Sequence, residues 1–285
     1  MPLTTPVLEE LRRVVGRESV IDSANDLRIF ERDASIEGAL PDAVVLASTT
    51  AEVAGVIKVA AKHRIPVVPR GAGTGLSGGA VTIRGGIALQ VTRMRGIEID
   101  PVAQTALVEP GVVNQELSLV AASHGLFYAP DPSSQKACTI GGNAAENSGG
   151  PHCLYYGVTT NHVLGMEVVL ADGSVHWVSG DAPDRIGLDL CGVLVGSEGT
   201  LCAITKVKVR LEIEKFKDVI EAEGVVRWCF KGATDDGEFY AGIRFTHVAE
   251  ESASKIARLR GYFTSPEYRT RNAARRRRDP LGLEP

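Results

Sequence analysis

At 285 residues the chain is long enough for one or two domains and for a sizeable buried core. Hydrophobic residues at 44% and charged residues at 23% are ordinary globular values and exclude wholesale disorder. A net charge of −4 excludes a general nucleic-acid surface, and no apolar run approaches the ~20 residues that span a bilayer.

In chain order, Thr5-Pro6 followed by Leu8, Leu11, Val14 or Val15 and then Gly16 predicts a capped amphipathic helix. Residues 43–47 form a short apolar strand. Thr50 is expected to cap a helix with Val53, Val56, Ile57 and Ala60 on one face, ending near His63 and Arg64. Residues 65–68 form a second strand that delivers the chain into a glycine-rich loop at 69–79. Residues 86–91 and 106–109 read as strands, and Val113, Leu117 and Val120 mark a helix closed by Gly125. The stretch 126–161 lacks periodicity and is rich in Pro, Gly, Asn and Ser, which predicts a long functional loop. Residues 163–170 and 175–178, joined by Asp172-Gly173, predict a hairpin, and 203–211 alternates as a further strand. Composition shifts near Glu212, where glycine thins and charge rises, so a domain boundary is expected at about 212–218. Cys138, Cys153, Cys191, Cys202 and Cys229 are odd in number and form no Cys-x-x-Cys pair. They predict reduced, buried, apolar thiols in a cytoplasmic protein and not a disulfide frame or metal site. The N-terminal residues lack a signal-peptide pattern.

The most informative stretch is Pro69, Arg70, Gly71, Ala72, Gly73, Thr74, Gly75, Leu76, Ser77, Gly78, Gly79, with five glycines in nine residues. Such a run is too costly for a helix or packed strand, but it lets backbone N–H groups converge on an anion. Gly73, Gly75 and Gly78 match the dinucleotide fingerprint literally. The β-branched, glycine-broken residues 79–86 predict no helix to follow, which argues against a Rossmann site. No Gly-Lys-Ser/Thr closes the run, so it is not a P-loop. The plain alternative is a glycine-rich surface turn.

Two further segments decide between these readings. Pro130, Asp131, Pro132, Ser133 and Ser134 form a stiff stretch. Thr139, Gly141, Gly142, Asn143, Ala145, Ser148, Gly149 and Gly150 follow, with backbone access and neutral donors and acceptors. Residues 195–200, containing Glu198 and Gly199, add a third glycine-flanked segment. Three such segments spread over 130 residues suggest one long ligand, and a flavin dinucleotide fits better than a lone phosphate.

Together, residues 70–79, 138–150, 151–158 and 195–201 resemble the vanillyl-alcohol oxidase and p-cresol methylhydroxylase (PCMH) family of FAD-binding proteins. The likeness is to the branch holding the FAD-linked glycolate oxidase subunits and D-lactate dehydrogenases. It runs from about residue 5 to 211. It implies an α+β, two-lobed PCMH-type FAD-binding domain at 38–215, after an N-terminal helical segment at 1–37. FAD would lie between the lobes of 38–211. By this resemblance the loop 69–79 wraps the pyrophosphate, residues 130–134 and 139–150 line the flavin and ribityl chain, and Glu198, Gly199 and Ile204 lie near the adenine. Covalently flavinylated relatives carry a histidine near the position of Thr74. This chain has none between His63 and His124, so non-covalent FAD is expected.

The resemblance further implies hydride transfer from a small 2-hydroxy acid to FAD, with electrons leaving to a quinone, cytochrome or iron–sulfur partner. A cap domain of the family supplies the histidine and arginine that bind the acid and remove its proton, and the likeness stops after Leu211. No catalytic residue is assigned: His152 and His162 are expected to be structural or polar-loop histidines. Cys202 stands where the family has glycine, with strain expected if its φ is positive. A flavin module completed in trans by a partner subunit is the alternative. Residues 216–285 resemble the end of a PilZ domain, a partial β-barrel plus helix with a basic tail. There, strands are expected at 224–230 and 239–245, a turn at 235–237 and a helix at 249–259. Arg271 and Arg275 have the spacing of the PilZ arginines but the wrong position, so a nucleotide-binding regulator is the weaker reading, and the run 275–278 reads as a solvated tail. Two partial families meeting at one junction suggest a fused reading frame.

Overall fold

The protein is described by a computed structural model over residues 3–178 and 188–213, with the backbone of two further strands at 222–231 and 239–248. Two compact units divide it, Met1–Glu214 and Lys215–Pro285.

The first unit begins with α1 (Thr5–Val15), whose Val7, Leu11 and Val15 form the buried stripe of an amphipathic helix. β1 (Val20–Ile21) and the short α2 (Ala24–Leu27) follow. Next come β2 (Ala43–Leu46), α3 (Thr50–His63), β3 (Val67–Arg70) and β4 (Ile87–Gln90), which build a four-stranded sheet in the order β1-β2-β4-β3. β2 and β3 both run parallel to β4. Parallel strands are covered on both faces, which is why Ala43, Val44 and Val45 and then Ile87, Ala88 and Leu89 read as unbroken apolar runs and are wholly buried. The N-cap of α3 is Thr49 and not the expected Thr50: its hydroxyl accepts from Glu52 N at 3.1 Å, while Glu52 accepts from Ser48 N at 2.7 Å. Two adjacent threonines give the same sequence signal, and only the one in extended conformation can cap.

The second sheet has five antiparallel strands in the order β5-β6-β10-β8-β9. These are β5 (Ile97–Asp100), β6 (Thr105–Val108), β8 (Val163–Val169), β9 (Val175–Val178) and β10 (Ala203–Arg210). β10 keeps Val207 and Val209 inside and turns Lys206, Lys208 and Arg210 outward, the alternation of a sheet with one packed face. α4 (Asn114–Ala122) packs on this sheet through Leu117 and Ala121, whereas Val120, expected on its buried face, is 41% exposed. The two sheets share a core, since Val169 and Ala203 join the cluster of Leu11, Val53, Val56, Leu89 and Met94.

The long loop expected at 126–161 is instead partly ordered into β7 (Leu126–Phe127), α5 (Ile140–Glu146) and α6 (Cys153–Tyr156), with α7 (Leu190–Leu194) and β11 (Glu212–Ile213) further on. α5 was hidden because Gly141 and Gly142 each weaken a helix by about 1 kcal/mol. Thr139 caps it by accepting from Gly142 N at 3.3 Å. A side chain at Gly141 would start 2.5 Å from Pro110 Cβ, so close packing requires the glycine that propensity disfavours. Cys138, Cys191 and Cys202 are buried as expected, but Cys153 is exposed because it starts the surface helix α6. Cys202 does not take a positive φ, so the strain considered for a side chain there is absent.

In the second unit, β12 (Ala222–Lys231) and β13 (Phe239–Val248) pair antiparallel, from Ala222 opposite Val248 to Lys231 opposite Phe239. The described residues form this two-stranded pair and no barrel. The turn at 235–237, the helix at 249–259 and the arginines at 271–278 lie outside the described residues.

Candidate functional site

β3 ends at Arg70 and releases the chain into the glycine loop at the edge of the first sheet. Arg70 is 6% exposed and turns inward: Nη1 donates to Ala80 O at 2.9 Å and Nη2 to Arg32 O at 2.6 Å. Phe30 lies under the guanidinium, 5.9 Å from its carbon to the ring centre. Burial lowers the Arg70 pKa, opposed by Asp33. The side chain therefore braces the loop against the N-terminal segment, a link that Ala34 N strengthens by donating to Gly75 O at 3.1 Å. Gly73 lies at φ 68°, and a Cβ there would sit 2.5 Å from Arg70 Nη2. Arginine and glycine thus specify one another: the brace occupies the space that a side chain would need.

The facing wall is a buried polar network. Asn114 Nδ2 donates to Pro130 O at 3.0 Å, and Asn143 Nδ2 donates to Asn114 Oδ1 at 2.7 Å. Ser148 N donates to Asn143 O at 3.0 Å, and Thr159 Oγ1 donates to Ser148 O at 2.7 Å. Buried amides are costly unless paired, so this chain of bonds fixes the positions of 130–134, α5 and Ser148 together. The third wall comes from 195–199, where Gly196 N and Glu198 N donate to Ala144 O and Ala145 O, both at 2.9 Å. Glu198 sits in the left-handed region at φ 52°.

Between these walls lies a cavity of about 400 Å³, within the roughly 300–1,000 Å³ of small-molecule sites. It brings together Pro69, Arg70, Gly71, Ala72, Gly73, Thr74, Gly75 and Leu76 with Pro132, Ser133, Thr139, Gly141, Gly142, Asn143, Ala145, Ser148, Glu198, Gly199 and Ile204. Ser77, Gly78, Pro130, Asp131, Gly149 and Gly150, also expected at the site, are not in its lining. Ser77 donates to Glu146 Oε2 at 2.6 Å and Gly78 faces Glu37. Pro130 O is held by Asn114, Gly149 packs near Cys153 and Val158, and Gly150 lies against Asp131. Gly79, Ser134 and Glu146, inside the segments expected at the ligand, also line the cavity, and Ala80, Val91, Pro110, Cys138 and Cys202, not placed there by sequence reasoning, complete the lining. Cys138 and Glu146 lay inside segments already singled out, whereas Val91 and Pro110 carry no local signal.

Among the described lining residues Arg70 is the one cation, and each of its two terminal nitrogens donates to a backbone carbonyl. An anion here must be held mainly by backbone, which is what a glycine-rich loop offers. Burial raises the Cys138 thiol, and burial with Cys191 nearby pushes Cys202 up to about 11, so both are neutral lining groups. His162 is fully buried away from the cavity. Its Nε2 meets Tyr156 O at 2.9 Å, its ring stands edge-on to Tyr128, and burial lowers its pKa, so it is a neutral core group. His152 is exposed, with Nδ1 2.5 Å from Asp131 Oδ2. The described residues contain no group of three or more metal-ligating side chains, and no described helix is long and apolar enough to cross a membrane.

The FAD binding domain family matches residues 41–179. The p-cresol methylhydroxylase structure superimposes with a TM-score of 0.65 at 24% identity, covering 75% of this chain and 45% of that one, which establishes the fold. Among curated relatives, the glycolate oxidase subunit GlcD of Bacillus subtilis (strain 168) is 44% identical over 212 residues, 73% of this chain and 45% of the relative. The D-lactate dehydrogenase of Archaeoglobus fulgidus is 44% identical over 169 residues, 59% of this chain and 38% of the relative. The chain spans under half the length of these relatives. FAD is the cofactor of the matched domain, and the residues present suit such a group: a glycine-rich loop with accessible backbone faces a wall carrying the polar Thr139, Asn143 and Ser148.

Proposed function

We propose that this chain binds FAD non-covalently and serves a flavin oxidoreductase acting on a small 2-hydroxy acid of the glycolate or D-lactate type. The observation that carries the reading is the convergence of three sequence-distant segments, 69–76, 132–148 and 198–204, on one cavity. On this reading the backbone of 71–79 holds the pyrophosphate, braced from behind by Arg70. Pro132, Ser133, Thr139, Asn143 and Ser148 order the ribityl chain and flavin ring, while Glu198, Gly199 and Ile204 flank the adenine. Bound flavin supplies the hydride acceptor.

A second reading, a flavin module completed by a partner subunit, is supported by the lining itself. Its single cation is committed to Ala80 and Arg32, so none of the described lining residues offers a free cation to a substrate carboxylate. For residues 216–285, the antiparallel pair β12 and β13 supports the two strands of the PilZ-like order, with no nucleotide-binding role attached. The test is an absorbance spectrum of the purified protein, followed by anaerobic addition of glycolate or D-lactate. Flavin bands that bleach support the oxidoreductase, and flavin bands that persist with every 2-hydroxy acid support the module. Absence of flavin binding overturns both. Acid precipitation should leave the yellow colour in solution, and colour in the pellet overturns non-covalent binding.

A further inference from the structure

We propose that residues 31–39 form a clasp behind the glycine loop, and that its opening is the step that releases FAD. The proposal rests on the FAD-binding reading above. The segment is a closed loop of its own: Ala39 N donates to Glu31 O at 2.9 Å, and Arg32 pairs with Gly38 in an antiparallel bridge. Inside it, Arg32 Nη1 donates to Ile36 O at 3.3 Å, and Ser35 N donates to Asp33 Oδ1 at 2.8 Å. Surface loops whose ends meet in this way are compact units, so the segment can move as one piece.

The clasp touches the glycine loop at its start, middle and end. Arg32 O accepts from Arg70 Nη2 at 2.6 Å, and Ala34 N donates to Gly75 O at 3.1 Å. A Cβ at Gly78 would meet Glu37 Cγ at 3.6 Å and Ser35 Oγ at 3.7 Å. Asp33, which opposes the effect of burial on Arg70, belongs to the same segment. Five glycines give the loop no stiffness of its own, so its backbone N–H groups converge on a pyrophosphate only while these contacts hold. With the clasp open, Arg70 keeps Ala80 O but loses Arg32 O, and Gly75 O loses Ala34.

The clasp is also poorly tied to the core. No residue from 31 to 40 is buried, Ile36 is 92% exposed, and none of these residues belongs to an apolar cluster among the described residues. The anchors lie just outside it, at Leu27 and Phe30 on one side and Ala43 and Val44 on the other. The wall at 130–148, by contrast, is held by the buried Asn114 and Asn143. A segment held by a few hydrogen bonds without apolar burial opens at a far lower cost than the whole domain. FAD that favours the closed arrangement must disfavour opening by the same factor by which opening weakens FAD.

The test uses the full chain and follows FAD release through the recovery of flavin fluorescence after dilution. Ala34→Pro removes the N–H given to Gly75 O and should speed release about tenfold. Ile36→Gly leaves the hydrogen bonds of the clasp in place but loosens its backbone. It should speed release about threefold, and it carries the test should Ala34→Pro fail to fold. In both variants the association rate should stay at its wild-type value, because the closed clasp still predominates. Independently of flavin chemistry, hydrogen exchange at 31–39 should be slower in the FAD-bound chain than in the same chain stripped of FAD. Wild-type release rates in both variants, or equal exchange at 31–39 with and without FAD, overturn the clasp and leave FAD binding standing. An affinity lost through slower association overturns it too. A wild-type chain that takes up no FAD overturns the FAD-binding reading and the clasp with it.

Discussion

The two principal walls of the cavity reach the same end by opposite means. The glycine loop works through exposed backbone at its five glycines, and its shape is set from behind by one buried arginine donating to Ala80 and Arg32. The wall at 130–148 works through side chains, with Asn114, Asn143 and Thr159 tying three segments into one hydrogen-bonded unit. A backbone wall tolerates change at its exposed residues but not at a positive-φ glycine, whereas a networked wall fails when any member leaves its partners unpaired.

The comparison can be broken most forcefully at Asn114. Asn114→Ala strands Pro130 O and the Asn143 amide inside the protein, at about 1–3 kcal/mol for an unpaired buried group. Calorimetry should record a fall in Tm of roughly 5–10 °C for a unit of this size. No change would show that the network is not what holds this wall. Gly73→Ala is the matching cut in the other wall. Strain at φ 68° and the clash with Arg70 should cost about 1–3 kcal/mol and, more tellingly, weaken FAD binding about tenfold or more in a fluorescence titration. Lost stability with unchanged FAD affinity would remove the loop from the binding site.

The smallest effect belongs to a residue in neither wall, which serves as the control. Glu167 joins the lobes, accepting from Thr50 at 2.7 Å and Thr205 at 3.0 Å with Lys206 at 3.3 Å. Burial acts to raise its pKa, but these hydroxyls and the lysine together hold it below the ordinary 4.5. The charged form is therefore favoured by folding. Its contribution is complete above the unfolded value and disappears as pH falls through the lower folded value. Glu167→Gln should lose about 1 kcal/mol at neutral pH, without altering FAD affinity, and the difference from wild type should vanish in acid. A difference that persists unchanged at pH 3 would contradict the assignment.

The two walls also differ in how far they could be read from the sequence. Five glycines behind an arginine are a local signal, because a missing side chain constrains the backbone wherever the chain goes. The helix α5 was not legible, since its glycines argue against a helix and are required only by the approach of Pro110. The link from Asn114 to Asn143 spans 29 residues, and Pro110 and Val91 enter the cavity without any motif. The role of Arg70 was half legible: its place beside the loop is in the sequence, but its inward turn onto Arg32 O is not.

The sequence by itself determined the apolar strands, the amphipathic helices and the three glycine-flanked segments, because periodicity and glycine content act over a few residues. Only the tertiary structure decided that these segments share one cavity, that Thr49 and not Thr50 caps α3, and that His152 faces solvent on Asp131 while His162 is buried against Tyr128. Those outcomes depend on which groups pair across long sequence separations, and hydrogen-bond pairing of buried groups is settled by the packed chain as a whole.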